Sequence, residues 1–218
     1  MLSDPISLSE TKRNLLLTSL EVFAENGVDA ISVRTITKMA GAKNTSAIYY
    51  HFKSKELLIE TLIGYIQDWF DREREPLLVA LEEDETLDES SLRQLLNSLA
   101  SPFVKLLETE EWGCSAVRFL ARIEYEDAQA PSDALNKRAQ VVTQRMMRLL
   151  SRCVPHIPET QLKRRLNYVV NSLIQGLANH RHLENSYLGD LSASSIESLA
   201  EFYIDCGEQV ILAPANRC

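Results

Sequence analysis

Apolar residues along this chain recur at intervals of three and four, the spacing of one helical face, and runs of strict alternation that would mark strands are almost absent. The first periodic stretch sets Leu16, Ser19, Leu20, Phe23 and Ala24 on one side. Ser7, with Glu10 three residues on, predicts its start as a capping box, and Asn26-Gly27 predicts its end. Ser32 predicts the cap of a second, short helix with Val33, Ile36 and Ala40 inward and Gly41 closing it. A third short helix is expected from about Asn44 through Tyr50. A fourth begins after Ser54 and carries Leu58, Leu62, Tyr65 and Ile66 toward Pro76, where it must kink or end because proline lacks an N–H and crowds the preceding turn.

Five more helices are expected at roughly 87–108, 112–125, 132–153, 159–184 and 192–212. Polar or proline-bearing breaks separate them: Glu82 to Glu85, Thr109 to Glu111, Asp127 to Pro131, Val154 to Pro158 and Asn185 to Asp190. The expected fold is therefore all-α with about nine helices. A small N-terminal domain of three helices, residues 1–55, precedes a larger helical bundle, residues 56–218.

Composition adds limits to this. With 218 residues, 45% of them hydrophobic, the chain is long enough to bury a core without disulfides or a structural metal. The four cysteines, Cys114, Cys153, Cys206 and Cys218, are widely spaced with no Cys-x-x-Cys pair, which predicts reduced, mostly packed thiols and no zinc site or disulfide framework; no cofactor is expected. No run of 18 apolar residues occurs and Met1 to Glu10 is polar, so a cytoplasmic protein with neither membrane span nor secretory signal is expected.

Charge changes the picture more. The total of −8 seems to argue against a polyanionic partner, but Ser32 to Lys55 holds Arg34, Lys38, Lys43, Lys53 and Lys55 and no acid. This 24-residue stretch is +5, so the other 194 residues carry −13. Two short helices joined by a turn containing Gly41, with a longer helix before them, have the layout of a helix-turn-helix, whose second member enters the DNA major groove. Its segment Lys43, Asn44, Thr45, Ser46, Ala47, Ile48, Tyr49, Tyr50, His51 is rich in groups that hydrogen-bond to bases and phosphates. Ala47 and Ile48 supply the inward side. Adjacent tyrosines cannot both point inward, so at least one hydroxyl is expected to be free; Asn44 suits an N-cap as well as a base contact.

The same residues resemble the N-terminal DNA-binding domain of the TetR family of bacterial repressors. The resemblance runs from Arg13 to Leu58, about a quarter of the chain, through LLLTSLEVFAENG and ISVRTITKMAGAKNTSAIYYHFKSKELL. It implies that Arg34 contacts a base or phosphate, that Tyr49 and His51 meet the DNA backbone, that Lys55 binds a phosphate, and that Ser32 caps its helix and can join a phosphate. Between Gly41 and the Tyr-His-Phe run the chain carries one residue more than the commonest family pattern, across Lys43 to Ser46.

The resemblance further implies a larger helical domain that dimerises and binds an effector. Leu166, Val169, Val170, Leu173, Gly176 and Leu177 form one late stripe, and Ile196, Leu199, Ala200, Tyr203, Cys206 and Val210 a second. These suit a four-helix dimer interface, and equally an intrachain core. A dimer would read an inverted repeat with half-sites about 34–36 Å apart or a multiple of it. Phe103, Trp112, Phe119, Tyr125 and Tyr168 are candidates to line an effector cavity, with Arg118, Arg122, Asn171, Gln175 or His180 as polar anchors. The expected partners are thus double-stranded DNA, a second copy of the chain and an unidentified small molecule. Enzyme chemistry is not expected. No Gly-rich phosphate loop or nucleophile elbow occurs, and His180 and His182, two apart, face different ways on a helix. The remaining rival is a helical protein-interaction module with a vestigial helix-turn-helix.

Overall fold

Ser9 caps the first helix: its hydroxyl accepts a hydrogen bond from the Lys12 amide at 3.4 Å. The computed structural model describes residues 8–41, 46–123 and 129–214, so Ser7 lies outside the described residues. These form nine α-helices and two short 3-10 segments, and the only strand-like pairing among the described residues is an isolated bridge between Ser186 and Gly189. The architecture is all-α, as the three-and-four periodicity predicts. The chain divides into two compact units, one of residues up to 69 with 111–139, the other of 70–110 with 140 onward.

The first unit holds α1 (Glu10–Asn26), α2 (Val33–Met39), α3 (Ser46–Phe52), the first half of α4 (Lys55–Glu83), α6 (Gly113–Ile123) and the start of α7 (Gln129–Cys153). Leu16, Leu20, Phe23, Ile36, Ile48, Leu58 and Leu62 are all fully buried, so the apolar faces of four helices meet in one core. α6 lies along α1, with Phe119 stacked on Phe23 at a ring separation of 6.2 Å. At the other end of α6, Trp112 meets Tyr65 at 5.2 Å and Trp69 edge-on at 6.4 Å. Each such aromatic pair contributes about 0.5–1.5 kcal/mol beyond its buried area.

In the second unit, α9 (Ile196–Leu212) packs against both α5 (Leu92–Thr109) and α8 (Glu159–Ala178). Arg93 on α5 ties the first two together through Glu201, Asp205 and Glu208, three acids spaced along α9.

Several boundaries differ from the periodicity. α4 does not end at Pro76 but continues to Glu83. The missing hydrogen bond and the ring clash cost about 3 kcal/mol. Burial of Leu78 and Leu81, each worth about 1.5–3 kcal/mol, offsets it. Arg145 also grips the helix on both sides of the proline, at Glu75 and, bidentately, at Glu82 at 2.8 Å. α8 stops at Ala178, where the Asn179 side-chain Nδ2 donates to the Gln175 carbonyl at 2.8 Å and the His180 ring binds the Leu177 carbonyl at 2.7 Å. Side chains thus occupy the last carbonyls, and the chain tightens into a 3-10 segment over His180–Asn185. α9 begins at Ile196 instead of 192, where Ser195 and Ser198 form a reciprocal capping box at 3.1 Å.

Candidate nucleic-acid interface

Capping positions the basic segment. The Ser32 hydroxyl accepts from the Thr35 amide at 3.2 Å, which satisfies one of the free donors opening α2 and holds Arg34 in its exposed first turn. Lys38 follows four residues later on the same side, also exposed. Gly41, with φ +67°, takes the left-handed turn that a side chain would resist, and so redirects the chain toward the next helix.

α3 is anchored by its two buried residues, Ile48 and Phe52. That anchoring decides the fate of the tyrosine pair. Both point outward, Tyr49 52% and Tyr50 74% exposed, so two phenols are available where the sequence required only one. His51, half-buried, meets the Tyr50 ring edge-on at 5.0 Å. Ser46 is exposed at the start of the helix, while Lys43, Asn44 and Thr45 lie outside the described residues.

Lys53 then leaves α3 with φ +69°, an αL residue of the kind usually reserved for glycine, while its amide bonds to the Tyr49 carbonyl at 3.1 Å. Its ammonium reaches back to the Tyr50 carbonyl at 3.4 Å. Ser54 caps α4 through the Leu57 amide at 3.2 Å, and the half-buried Lys55 forms its first turn. A hydrogen bond from Ser54 is the main cause holding the Glu56 carboxyl below its usual range. Lys12, from α1, places a further cation over the Phe52 ring at 5.5 Å. Lys38, Lys53 and Lys12 are cations that the site assignment omitted. The i, i+4 relation of Arg34 to Lys38 was the available signal for the first; only the packing of α1 reveals Lys12.

The residues assigned to an effector pocket fall into both units. Trp112 and Phe119 belong to the core of the first, Arg118 is half-buried there, and Arg122, exposed, donates to the Glu25 carbonyl at 3.2 Å. Tyr125 lies outside the described residues. In the second unit Phe103 is buried against Phe70 at 4.5 Å, Asn171, Gln175 and His180 are half-buried, and Tyr168 is 61% exposed. An open cleft of about 690 Å³ between the end of α4, α5 and α9 is lined by none of these residues.

Of the residues assigned to a dimer interface, Val169, Leu173, Leu177 and Leu199 are buried within the single chain. Gly176, Tyr203 and Val210 are half-buried and Cys206 is exposed. Tyr203 lies across Gly176, and Val169 packs on Gly207. Phe202, 58% exposed, is an outward apolar residue on α9 that the stripe did not include.

An exposed cationic helix pair joined to an acidic helical body defines a helix-turn-helix transcription regulator. Comparison with known proteins agrees: residues 15–62 match the family described as bacterial regulatory proteins, tetR family, and residues 97–205 match the tetracyclin repressor-like C-terminal domain. The chain belongs to the TetR family. That family is one of bacterial regulatory proteins.

Over 86 residues it is 34% identical to the HTH-type transcriptional repressor KstR2 of Rhodococcus jostii (strain RHA1), a match covering 39% of this chain and 42% of that repressor. The chain thus spans less than half the length of this curated relative. Among solved structures it resembles FadR of Bacillus subtilis, crystallised with stearoyl-CoA, with a TM-score of 0.62 at 14% identity, covering 93% of this chain and 99% of that one. It also resembles AibR in complex with isovaleryl coenzyme A and operator DNA, with a TM-score of 0.63 at 12% identity, covering 90% and 97%. No helix among the described residues is long and apolar enough to cross a membrane.

Proposed function

We propose that this regulator binds an inverted-repeat operator as a homodimer, represses from it, and is released by a small-molecule effector. The observation that carries the DNA part is the cluster of exposed groups over α2, α3 and the start of α4, attached to a body that DNA repels. Arg34 and Ser46 reach toward bases or phosphates, Tyr49, Tyr50 and His51 meet the backbone, and Lys55 and Ser32 hold phosphates, with Lys43, Asn44 and Thr45 between them in sequence. In functional terms residues 1–55 read DNA and 56–218 hold the effector and the dimer contact.

The dimer reading rests on α8 and α9, whose outward side chains include Tyr168, Phe202 and Cys206. One short recognition helix offers few base contacts, and two related by a two-fold axis double them. The acyl-CoA ligands of the two structural relatives support an acyl compound as the first effector to test. An effector favouring a spacing of recognition helices that no longer fits successive grooves would shift the population off DNA.

Fluorescence anisotropy on duplexes from the DNA flanking the gene, against a random duplex, tests the reading. Affinity for an inverted repeat should fall by orders of magnitude between about 50 and 200 mM salt, as for a protein neutralising several phosphates. Binding that ignores both sequence and salt would refute it in favour of a protein-interaction module.

A further inference from the structure

Four positions among the described residues have positive φ: Gly27 at +85°, Gly41 at +67°, Gly189 at +103° and Lys53 at +69°. Three of them carry the residue that has no Cβ to clash, and the fourth carries a long cationic side chain. Lys53 is also the centre of a three-residue turn. The Ser54 amide donates to the Phe52 carbonyl at 2.9 Å across it, while the Lys53 amide closes α3 on the Tyr49 carbonyl at 3.1 Å. With positive φ at its centre such a turn is the rare and strained form, and strain that persists at a non-glycine residue directs attention to what its side chain does.

The turn itself does not need that side chain. The bonds that end α3 and open α4 come from the Lys53 and Ser54 amides and from the Ser54 hydroxyl, which accepts from the Leu57 amide, and glycine at position 53 would leave all of them in place. The hydrogen bond that the side chain does make, from Nζ to the exposed Tyr50 carbonyl, is long at 3.4 Å.

Charge supplies a reason for the lysine. Arg93, Lys105, Arg138, Arg145 and Lys163, all outside the α2 to α4 face, pair with carboxylates at 2.5–3.0 Å. The exposed Lys53 ammonium pairs with no carboxylate among the described residues. Glu56, the nearest acid in sequence, is held by a hydrogen bond from Ser54 and by the charge of Lys55 instead. The counter-ion of Lys53 therefore has to come from outside the chain, at the seam between the exposed phenols of Tyr49 and Tyr50 and the start of α4.

We propose that Lys53 binds a phosphate of the DNA backbone, and that the strained turn is retained because it holds this ammonium beside Tyr50 at the junction of α3 and α4. The proposal rests on the DNA-binding reading above and adds a contact that neither the helix-turn-helix pattern nor the family resemblance assigns. A phosphate contact positions the protein without reading sequence, so the contribution of Lys53 is the same on every duplex.

The test is fluorescence anisotropy of the full-length protein on a random duplex and on duplexes from the DNA flanking the gene, for the wild type, Lys53→Gly, Lys53→Ala and Lys53→Arg, with melting temperatures taken on the same samples. Lys53→Gly should melt no lower than the wild type, because the left-handed turn suits it. It should nevertheless bind every duplex more weakly, by roughly tenfold at about 50 mM salt and by less at about 200 mM, with a salt slope smaller by about 1. Lys53→Ala should bind as weakly as Lys53→Gly while melting below it, and Lys53→Arg should keep the wild-type slope. Wild-type affinity and slope in Lys53→Gly would overturn the proposal, and so would a binding loss that follows melting temperature instead of charge across the three variants. Either result, obtained while the wild type still binds with sequence and salt dependence, leaves the regulator reading standing. Wild-type binding that ignores both sequence and salt sinks that reading and the proposal with it.

Discussion

Tyr203 on α9 lies against the backbone of α8 at Gly176, so closely that a β-carbon at Gly176 would overlap the phenol ring. The close approach of the two helices at this point makes a small residue there a packing requirement. Gly176→Ala should therefore destabilise the fold by about 1–3 kcal/mol from overpacking, partly offset by about 1 kcal/mol of gained helix propensity. Combining it with Tyr203→Leu should recover much of the loss. Urea denaturation of the two single variants and the double variant measures the coupling, and strict additivity would show that the two residues do not constrain one another.

The grip of Arg145 on α4 around Pro76 carries a pH signature. The hydrogen bond from Arg145 is the largest cause holding the Glu82 carboxyl below its ordinary value of 4.5. A depressed carboxyl contributes stability that is complete above the unfolded value and is lost as pH falls through the folded one. Arg145→Met should cost about 1 kcal/mol at pH 7, since the acids of this cluster are partly solvated. The gap in melting temperature between wild type and variant should narrow as pH drops below about 4.5. A gap independent of pH would detach the effect from the ion pair.

At the proposed DNA face, two cations should fail differently. Lys55→Ala should weaken binding to cognate and random duplexes alike and reduce the salt slope by about 1, as for loss of a phosphate contact. Arg34→Ala should change which base is preferred within the half-site. Anisotropy titrations on a panel of single-substituted operators would detect this, and equal losses across the panel would leave Arg34 as a phosphate ligand only.

The thiols offer a probe of the α9 surface. Burial pushes the Cys153 pKa up to about 11, whereas Cys206 is exposed on the single chain. Iodoacetamide at neutral pH followed by peptide mapping should modify Cys206 and spare Cys153, because the thiolate is the reacting form. If α9 joins a dimer, Cys206 labelling should slow as protein concentration rises. Concentration-independent labelling would place the dimer contact elsewhere.

Much of this molecule could be read without coordinates because its information is local. Ser32 and Ser54 have the chemistry of caps and act as caps, and Gly41 sits at a left-handed turn. The misreadings have a common cause. Pro76 is a helix breaker by local rules, but the burial of Leu78 and Leu81 beyond it and the grip of Arg145 from α7 keep the helix going. The end of α8 at Ala178, ahead of an expectation near residue 184, turned on two side chains capturing carbonyls, which apolar periodicity does not register.

Periodicity, capping chemistry and the separation of a +5 segment from a −13 body determined the helical class and the candidate DNA face, because each depends on residues near one another in the chain. Which stripes face inward was decided only by tertiary structure. Val169, Leu173 and Leu199 could have met a partner by pattern alone, and the chain buries them itself. Arg74 makes the same point: as sequence it is one more cation in an acidic helix, and only the packing of Phe70 and Leu78 around it turns it into a charge that water does not reach. Burial is a property of the whole fold, and a side chain's desolvation follows from what the rest of the chain places over it.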